Sequence, residues 1–407
     1  ASLTLKDPRP LGVDPFDFAA LAIGREPERY GLHSRHLNEQ MVRVLQTIGY
    51  DVGFTRGSGQ YLWDRKGARY LDLLSGWGVF ALGRNHPDVS RALISVIEAD
   101  LPNLVQMDVS VLSGLLAERL LKYTPWLDKA FFCNSGAEAV EAAMKFARSA
   151  TGRSRILFCD HAFHGLTYGA LSMNGDAIFR DGFGPLVPDI AEIAFNDLDA
   201  LDRALARKDV AAFFVEPIQG KGAIMPDPDY LARAAALCRK YGTLFVADEI
   251  QTGLGRTGKF LAVEHWGAEP DMVLLAKALS GGHVPVGAVL ARRQIFEKVF
   301  NRMDRAVVHG STFSKNNLAM AAGLATLEAI ENERLIENAA RRGEQILEGF
   351  RSMNQRYELV KDVRGKGLMI GIEFGAPKSL KLKAAWSVLE KGNSGLFCQM
   401  ITIPLFK

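Results

Sequence analysis

Short apolar runs alternate with segments of helical periodicity through the middle of the chain, from about residue 129 onward. Runs of this length, bounded by polar residues, are typical of strands that are buried on both faces. Between them, apolar residues recur every three or four positions and predict helices, as over residues 229–241. The strand-like runs are KAFFC, RILFC, VAAFFVEP, TLFVADE, MVLLA and GAVLA. The alternation predicts an α/β fold with a large domain, in which helices cover a mostly parallel sheet.

The pattern changes on both sides of this region. Residues 54–73 predict a hairpin with a turn at Lys66-Gly67, and residues 317–352 predict long helices. Residues 357–374 return to strands. We expect the N- and C-terminal segments to combine into a smaller α+β domain.

These changes predict three parts of the chain. They are an N-terminal arm with part of the small domain (1–80), the large domain (81–320) and a C-terminal part of the small domain that ends early (321–407).

Composition and charge exclude several classes of function. The 407 residues are 48% apolar and 23% charged, which is ordinary for a globular protein. Lys and Arg outnumber Asp and Glu by only 49 to 46, without a basic run, which argues against a nucleic-acid partner. The four cysteines form no CxxC pair, so a reducing compartment is favoured over a disulfide framework. No apolar stretch approaches ~18 residues, and we expect a cytoplasmic protein without a membrane span.

Polar residues follow five of the predicted strands at their carboxyl ends. In a parallel sheet these ends lie at one edge, where ligands bind. The polar positions are Asn134-Ser135-Gly136, Asp160 to Gly165, Glu216-Pro217, Asp248-Glu249 and Lys277.

The first of these positions predicts a helix over residues 134–152. Ser135 can cap its start, Glu138 can close a capping box, and Gly152 can end it. The free N–H groups at such a helix start favour a phosphate, although many helices begin in this way without binding one.

Asp248 and Lys277 are the two ionisable residues that interrupt otherwise apolar strand ends. A buried carboxylate needs a cation or strong donor, and a structural pair with an arginine would also satisfy it. Side-chain alternation sends the adjacent Glu249 to the opposite face. A desolvated lysine has a lowered pKa and attacks carbonyls. A phosphate site, a carboxylate and an amine together match pyridoxal 5'-phosphate.

Two motifs nearby imitate other sites. The stretch Gly253–Gly258 matches GxGxxG and, with Lys259, GxxxxGK, but Phe260 replaces the hydroxyl residue and no long helix is predicted to follow. His161 and His164 form an HxxH pair without a third ligand, so we predict no metal. Phe163 between them can cover the face of a flat cofactor.

The chain resembles the class III pyridoxal-phosphate aminotransferases of fold type I, from about residue 61 to residue 374. The resemblance rests on six motifs in order: NSGAEAVEAAMKFAR, FHG, VEPIQG, LFVADEIQTGLGRTG, LLAKALSGG and HGSTF. It implies a homodimer with a shared active site.

The resemblance also implies a role for each matching residue. Lys277 would form the Schiff base with the cofactor, and Asp248 would keep its pyridine nitrogen protonated. The remaining cofactor-binding residues would be Ser135, Gly136, Ala137 and the partner subunit's Thr312 at the phosphate, Phe163 and His164 beside the ring, Gln251 near the ring hydroxyl, and Glu216 in the wall of the site.

The implied reaction moves an amino group from an amino acid, with glutamate as the expected donor, to a ketone or aldehyde by a ping-pong mechanism. A decarboxylase or aminomutase on the same fold is the alternative, because it needs the same lysine and aspartate. A dinucleotide-dependent dehydrogenase and an inactive binding protein are less favoured readings.

The sequence departs from the family pattern in three places that bear on substrate. Lys221 stands where ornithine and 4-aminobutyrate transaminases have a glutamate. Ser314-Lys315-Asn316 follows HGSTF in place of small residues, and the carboxylate-binding arginine of relatives has no match before Lys407. Trp77 and Phe80 lie in the segment that lines the substrate entrance in relatives.

One apolar helix face remains unassigned. In residues 35–50 it consists of Leu37, Met41, Val44, Leu45 and Ile48. Packing against a partner subunit is favoured over a substrate groove or membrane contact.

Overall fold

The structure is a computed structural model that describes residues 14, 16–105, 107–379, 383, 386–387 and 396–406. Residues up to Leu73, with those from Ser379 onward, form one compact unit, and Leu74–Lys378 form the other. The division predicted at residues 80 and 320 stays a prediction.

Helices occur throughout the described chain. In order they are α1 Phe18–Gly24, α2 Arg29–His36, α3 Glu39–Ile48, α4 Ser75–Gly78, α5 Pro87–Glu98, α6 Val111–Leu121, α7 Gly136–Thr151, α8 Tyr168–Ser172, α9 Ala177–Arg180, α10 Leu198–Leu205, α11 Tyr230–Tyr241, α12 Arg293–Val299, α13 Asn317–Asn332, α14 Leu335–Arg356 and α15 Leu396–Phe406. Single 3₁₀ turns occupy Glu26–Glu28, Ala262–Trp266, Lys277–Ser280 and Met303–Arg305. Among the described residues, no helix is both long and apolar enough to cross a membrane.

The strands form three sheets. They are β1 Phe54–Ser58, β2 Tyr61–Asp64, β3 Arg69–Leu71, β4 Lys129–Cys133, β5 Arg155–Cys159, β6 Ile190–Ile193, β7 Val210–Val215, β8 Leu244–Asp248, β9 Met272–Leu275, β10 Gly287–Ala291, β11 Val360–Lys366 and β12 Met369–Phe374. The first three make an antiparallel sheet, β11 and β12 make a hairpin, and the other seven make the central sheet.

The central sheet has the strand order β4-β10-β9-β8-β7-β5-β6. Pairing is parallel from β6 through β5, β7 and β8 to β9, and β10 runs antiparallel to both of its neighbours. This confirms the predicted α/β fold with a mostly parallel sheet.

Side chains of β7 show why the strands are apolar without alternation. Phe213 and Val215 belong to one buried cluster and Phe214 to another on the opposite face, where it meets Phe146 of α7. Both faces of the strand are therefore covered by helices, as in parallel sheets generally.

Two details of the sheets differ from the sequence prediction. The segment over residues 54–73 is a three-stranded sheet rather than a hairpin, with the predicted Lys66-Gly67 turn between β2 and β3. Strand β6 was not predicted because its four residues, IAEI, include Glu192 and do not form a continuous apolar run.

Candidate functional site

The carboxyl ends of β7, β8 and β9 bring Glu216, Asp248 and Lys277 into one site. Asp248 is the last residue of β8 and is buried. Its Oδ2 accepts a hydrogen bond from His164 Nδ1 at 2.7 Å, and its Oδ1 accepts one from the Ile250 N–H at 3.1 Å. The carboxylate is thus fixed in orientation by a side chain that is 84 residues away in the sequence.

His164 is the buried partner of this carboxylate. Burial alone would lower the pKa of the imidazole, but the hydrogen bond and negative charge of Asp248 outweigh burial and raise it. Because Asp248 accepts at Nδ1, this nitrogen carries a proton. The Nε2 atom is buried and has no hydrogen-bond partner among the described residues.

Lys277 begins a 3₁₀ turn directly after β9, with a left-handed backbone at φ 45°. Burial lowers the pKa of its ammonium, and the negative charges of Asp248 and Glu216 oppose this shift without cancelling it. A larger fraction of the amine is therefore neutral, and able to attack a carbonyl, than at an exposed lysine.

Glu216 connects two loops of the site. Burial raises the pKa of its carboxyl to about 7, although the charge of His164 acts in the opposite direction. Its oxygens accept hydrogen bonds from the Phe163 N–H at 3.3 Å and the Gly220 N–H at 3.0 Å. The carboxyl therefore holds the loop after β5 against the loop after β7.

The start of α7 provides free backbone donors. Ser135 Oγ caps the helix by accepting from the Glu138 N–H at 3.1 Å, and Gly152 ends it in a left-handed conformation, as predicted. The N–H groups of Gly136 and Ala137, at the first two helical positions, donate to no acceptor among the described residues. Two donors and the positive end of the helix dipole are thus available to an anion.

The capping box is not closed as predicted. Glu138 accepts instead from the backbone N–H of Asn134 at 2.8 Å and from its Nδ2 at 3.1 Å. Asn134 Nδ2 also donates to Ser311 Oγ at 2.6 Å. The carboxylate therefore stabilises the turn one residue earlier, and that turn contacts the HGSTF segment.

Gly136 keeps this turn close to the sheet. A Cβ at this position would lie 2.9 Å from Ile250 Cδ1, a distance that side-chain carbons do not tolerate. Ile250 lies two residues after Asp248, so the glycine allows the turn at the start of α7 to pack beside the buried carboxylate.

Gln251 connects the β8 end to the turn Ser75–Gly78. Its Nε2 donates to the Trp77 carbonyl oxygen at 3.2 Å. Its Oε1 lies over Gly220, where a Cβ would approach within 1.9 Å. The amide therefore lies between the two loops, which is compatible with the predicted position beside the cofactor ring.

Phe163 lies at the exposed rim of the site, with 38% of its surface accessible. Its ring packs edge-on against Phe179 at 5.6 Å between centroids. The Lys221 ammonium lies 6.0 Å from the Phe179 centroid and pairs with Asp176. Lys221 thus already has an acidic partner, on the element that carries Phe179.

Thr312 is exposed. His309, in the same HGSTF segment, contacts strand β4 and helix α7. His309 Nδ1 lies 2.7 Å from Lys145 Nζ, and its ring stacks on Phe131 at 5.0 Å. These contacts hold the segment firmly while Thr312 faces outward. Its predicted role in a partner's site stays a prediction.

The two acidic residues at the end of β8 have separate environments, as alternation predicts. Glu249 accepts hydrogen bonds from Thr252 Oγ1, from the Ala262 N–H at 3.0 Å and from the Val263 N–H at 2.8 Å. Burial raises the pKa of Glu249 to about 7. It stabilises the loop that contains GLGRTG.

The motifs that imitate other sites have structural explanations. Residues 253–258 form consecutive turns, and only a five-residue 3₁₀ helix follows them at Ala262–Trp266. His161 is exposed with its Nε2 4.0 Å from Asp160, whereas His164 points to Asp248. The HxxH pair therefore does not converge on one point.

Sequence reasoning missed three residues that shape the site. Asn134 was included only as part of a turn, and Asp176 had no signal because its partner Lys221 is 45 residues away. Arg256 lies within GLGRTG, and its signal is a charged residue in a stretch that is otherwise small and apolar.

Three comparisons relate the chain to known proteins. The family model of aminotransferase class-III matches residues 46–403. The chain is 39% identical over 363 residues to the aminotransferase PigE of Serratia sp., covering 88% of this chain but 43% of that protein. It is 41% identical to an acetylornithine aminotransferase of Bacillus cereus, covering 81% of this chain and 84% of that protein.

A solved structure has the same fold. The ornithine aminotransferase of Toxoplasma gondii, whose active site holds pyridoxal phosphate at partial occupancy, superimposes with a TM-score of 0.76 at 33% identity. The match covers 86% of this chain and 85% of that one.

Proposed function

The chain belongs to the class-III aminotransferases, and on that premise we propose that it moves an amino group from an amino acid, expected to be glutamate, to a ketone or aldehyde. The observation that carries the proposal is the position of the half-buried Lys277 at the same sheet edge as the buried carboxyl groups of Glu216 and Asp248. The reaction is a ping-pong exchange, in which the donor's keto product leaves before the acceptor binds.

The residues of the site fit pyridoxal 5'-phosphate. The free N–H groups of Gly136 and Ala137 would hold its phosphate, with Ser135 fixing the turn. Asp248 would contact its ring nitrogen and Lys277 its aldehyde, with Phe163, His164, Gln251 and Glu216 around the ring. When bound, this cofactor supplies an electron sink for the carbon that carries the amino group.

Lys277 Nζ is the group that moves the proton. As a neutral amine it would take the proton from the amine-bearing carbon of the substrate. As an ammonium it would then donate a proton to the carbon that was the cofactor's aldehyde. Burial favours the neutral form, and the nearby charges of Asp248 and Glu216 favour the ammonium.

Asp248 holds a negative charge where a protonated ring nitrogen would lie. The hydrogen bonds from His164 and Ile250 orient both carboxylate oxygens without neutralising them. Because the carboxylate is buried, its attraction for a ring N–H is less screened than in water.

The test of this function is the visible absorption spectrum of the purified protein, recorded before and after addition of L-glutamate. We expect a visible cofactor band that falls on addition, with one equivalent of 2-oxoglutarate formed per site. A pyruvate or aldehyde acceptor should then restore the band.

Other outcomes distinguish the alternatives. A band that responds to another amino acid, with its keto acid formed, changes the donor and keeps the function. Release of carbon dioxide or an isomer from one substrate, without a keto acid, establishes the decarboxylase or aminomutase instead. Absence of any cofactor band after incubation with pyridoxal phosphate contradicts the proposal.

Ser314-Lys315-Asn316, which depart from the family pattern after HGSTF, have a structural role. Asn316 caps α13 by accepting from the Ala319 N–H at 2.8 Å, and its Nδ2 donates to the Phe313 carbonyl at 2.7 Å. Ser314 is buried and Lys315 is exposed. The substituted residues therefore build a turn, and Lys315 alone has a charge free to meet a ligand.

We also propose a homodimer with a shared active site. Large apolar residues are exposed in two segments, residues 101–111 and residues 303–313. The Asn317 N–H, just after the second segment, donates to Asn103 Oδ1 in the first at 3.0 Å. The accessible fractions are highest for Met107 (98%), Met303 (96%) and Val307 (91%). Exposed patches of this kind mark protein interfaces. Met41 and Val44 on α3, and Leu37 just before it, are exposed as well, which supports the predicted packing of that apolar face against a partner.

Sedimentation velocity tests the dimer. Wild-type protein should sediment at twice the mass of one chain, and Val307→Asp should shift it toward the monomer because a buried carboxylate is costly. Met353→Asp, at an exposed apolar position on α14, is the matched control and should leave the dimer unchanged. A wild-type monomer, or an unaffected V307D dimer, contradicts this arrangement.

A cytoplasmic location completes the proposal. The cysteines are all unpaired, with Cys133, Cys159 and Cys238 buried. Free thiols are typical of proteins in a reducing compartment.

A further inference from the structure

An arginine without a charged partner lies next to the turn Ser75–Gly78. The Arg256 Nε atom is buried and has no hydrogen-bond partner among the described residues. Within the part of the chain that the structure describes, its Nη2 reaches the Gly78 carbonyl oxygen alone, at 3.5 Å. Burial lowers the pKa of the guanidinium, and no neighbouring charge opposes the shift. An enclosed cation in this state is costly unless an anion joins it.

Two other partly buried arginines of the same unit use their donors more fully. Arg364 donates to Asp362 at 2.8 Å and to Glu373 at 2.6 Å, besides two carbonyl oxygens. Arg153 donates to the carbonyl oxygens of Val210, Tyr241 and Gly242 at 2.9–3.0 Å. Arg256 therefore differs in having donors that nothing in the described chain uses.

The turn beside Arg256 is strained. Its four residues all have positive φ angles: 52° at Ser75, 59° at Gly76, 53° at Trp77 and 91° at Gly78. Consecutive left-handed residues that are not all glycine cost free energy, and such strain clusters at ligand sites.

Contacts place the turn, and the residues that directly follow it, beside the loops after β8 and β9. Gln251, three residues after Asp248, donates to the Trp77 carbonyl. Gly282, five residues after Lys277, lies so near Phe80 that a Cβ there would be 2.5 Å from the ring. Residues 75–80 therefore lie against the loops that follow Asp248 and Lys277, and Arg256 lies against Gly78 within this segment.

We propose that Arg256 binds the carboxylate of the amino acid or keto acid substrate. The inference rests on the proposed transaminase function, because that function requires a substrate with both groups. A planar guanidinium offers paired N–H donors to a carboxylate, and such pairs are both strong and directional. The side chain as a whole is only partly buried, so a ligand can reach it.

The experiment measures binding of glutarate, a dicarboxylate without an amine, to the holoenzyme by isothermal titration calorimetry. Wild type is compared with Arg256→Gln and Arg256→Lys. Arg153→Gln is the matched control, since it removes a partly buried arginine that donates to three carbonyl oxygens and the Thr243 hydroxyl, away from the site. Turnover with glutamate and with 1-phenylethylamine, which lacks a carboxylate, completes the set.

We expect Arg256→Gln to raise the Kd for glutarate about tenfold or more, with Arg256→Lys in between because it keeps the charge but loses the paired donors. The kcat/KM for glutamate should fall to a similar extent, while that for 1-phenylethylamine stays within about twofold. The melting temperature of Arg256→Gln should not fall, because an uncompensated charge is removed. Arg153→Gln should melt lower and bind glutarate normally.

Three results overturn the inference. They are wild type that does not bind glutarate, unchanged glutarate affinity in Arg256→Gln, and equal loss with both donors combined with a lower melting temperature. If wild type binds glutarate through Arg256 but no amine alters the cofactor spectrum, the transaminase function fails while the anion site stands.

Discussion

Replacing Lys277 by alanine is expected to reduce turnover by roughly 10⁴-fold or more, since one amine supplies both the covalent attachment and the proton transfer. The fold should survive. The pKa of the lysine is lowered by burial, so its ammonium is destabilised in the native state rather than stabilising it. Alanine adopts the same left-handed backbone at this position as lysine does, at similar cost.

The measurement is kcat with glutamate and a keto acid acceptor, together with the circular dichroism spectrum and melting temperature. Lys208→Ala, at an exposed lysine, is the control for removal of a positive charge and should keep full activity. Added methylamine should restore part of the lost rate in the Lys277 variant, because a free amine can occupy the vacated space. Retention of wild-type turnover by Lys277→Ala would falsify the role given to this residue.

The positions of Lys277, Asp248 and the turn at the start of α7 were predictable from sequence because each follows a short apolar run. A parallel sheet brings the ends of such runs to one edge, so local patterns sufficed to assemble Ser135, Asp248 and Lys277. The same reasoning separated Asp248 from Glu249, since neighbouring strand residues point to opposite faces.

Contacts between distant segments were not predictable in this way. The hydrogen bond between His164 and Asp248 joins residues that are 84 apart in the sequence. The hydrogen bond between Gln251 and Trp77 joins residues that are 174 apart. No periodicity encodes such pairs. The resemblance to a family placed His164 at the cofactor, but the buried Nδ1–Oδ2 bond that defines its action emerged only from the three-dimensional structure.

The backbone of Ser75–Gly78 and the unpaired donors of Arg256 illustrate a second limit. A serine and a tryptophan between glycines do not predict four left-handed residues in sequence. An arginine is ordinarily read as a solvated or paired cation. Only the three-dimensional structure shows that its Nε has no hydrogen-bond acceptor among the described residues. The sequence therefore indicated the anion site by nothing more than the charge of the residue.

Replacing Asp248 by asparagine is expected to lower kcat roughly a thousandfold, while the protein folds normally and still binds the cofactor phosphate. Asparagine keeps the shape of the carboxyl group, and its oxygen can still accept from His164. The negative charge is lost, however, so a ring nitrogen at this position would no longer be held protonated. The pKa of His164 should fall at the same time, because the charge and hydrogen bond that raise it are weakened.

Glu249→Gln provides a control from the adjacent acidic residue. Its carboxyl group accepts hydrogen bonds from Thr252, Ala262 and Val263, which belong to the loop that contains GLGRTG and to the 3₁₀ turn after it. This variant should lose about 1–3 kcal/mol of unfolding free energy and retain most of kcat. Urea unfolding, kcat and the ¹⁵N chemical shifts of the His164 ring together separate the two residues. Equal effects of both substitutions on kcat would show that Asp248 acts through stability alone. A loss of rate confined to Asp248→Asn, together with a lowered pKa of His164, would show that the charge of Asp248 serves the reaction.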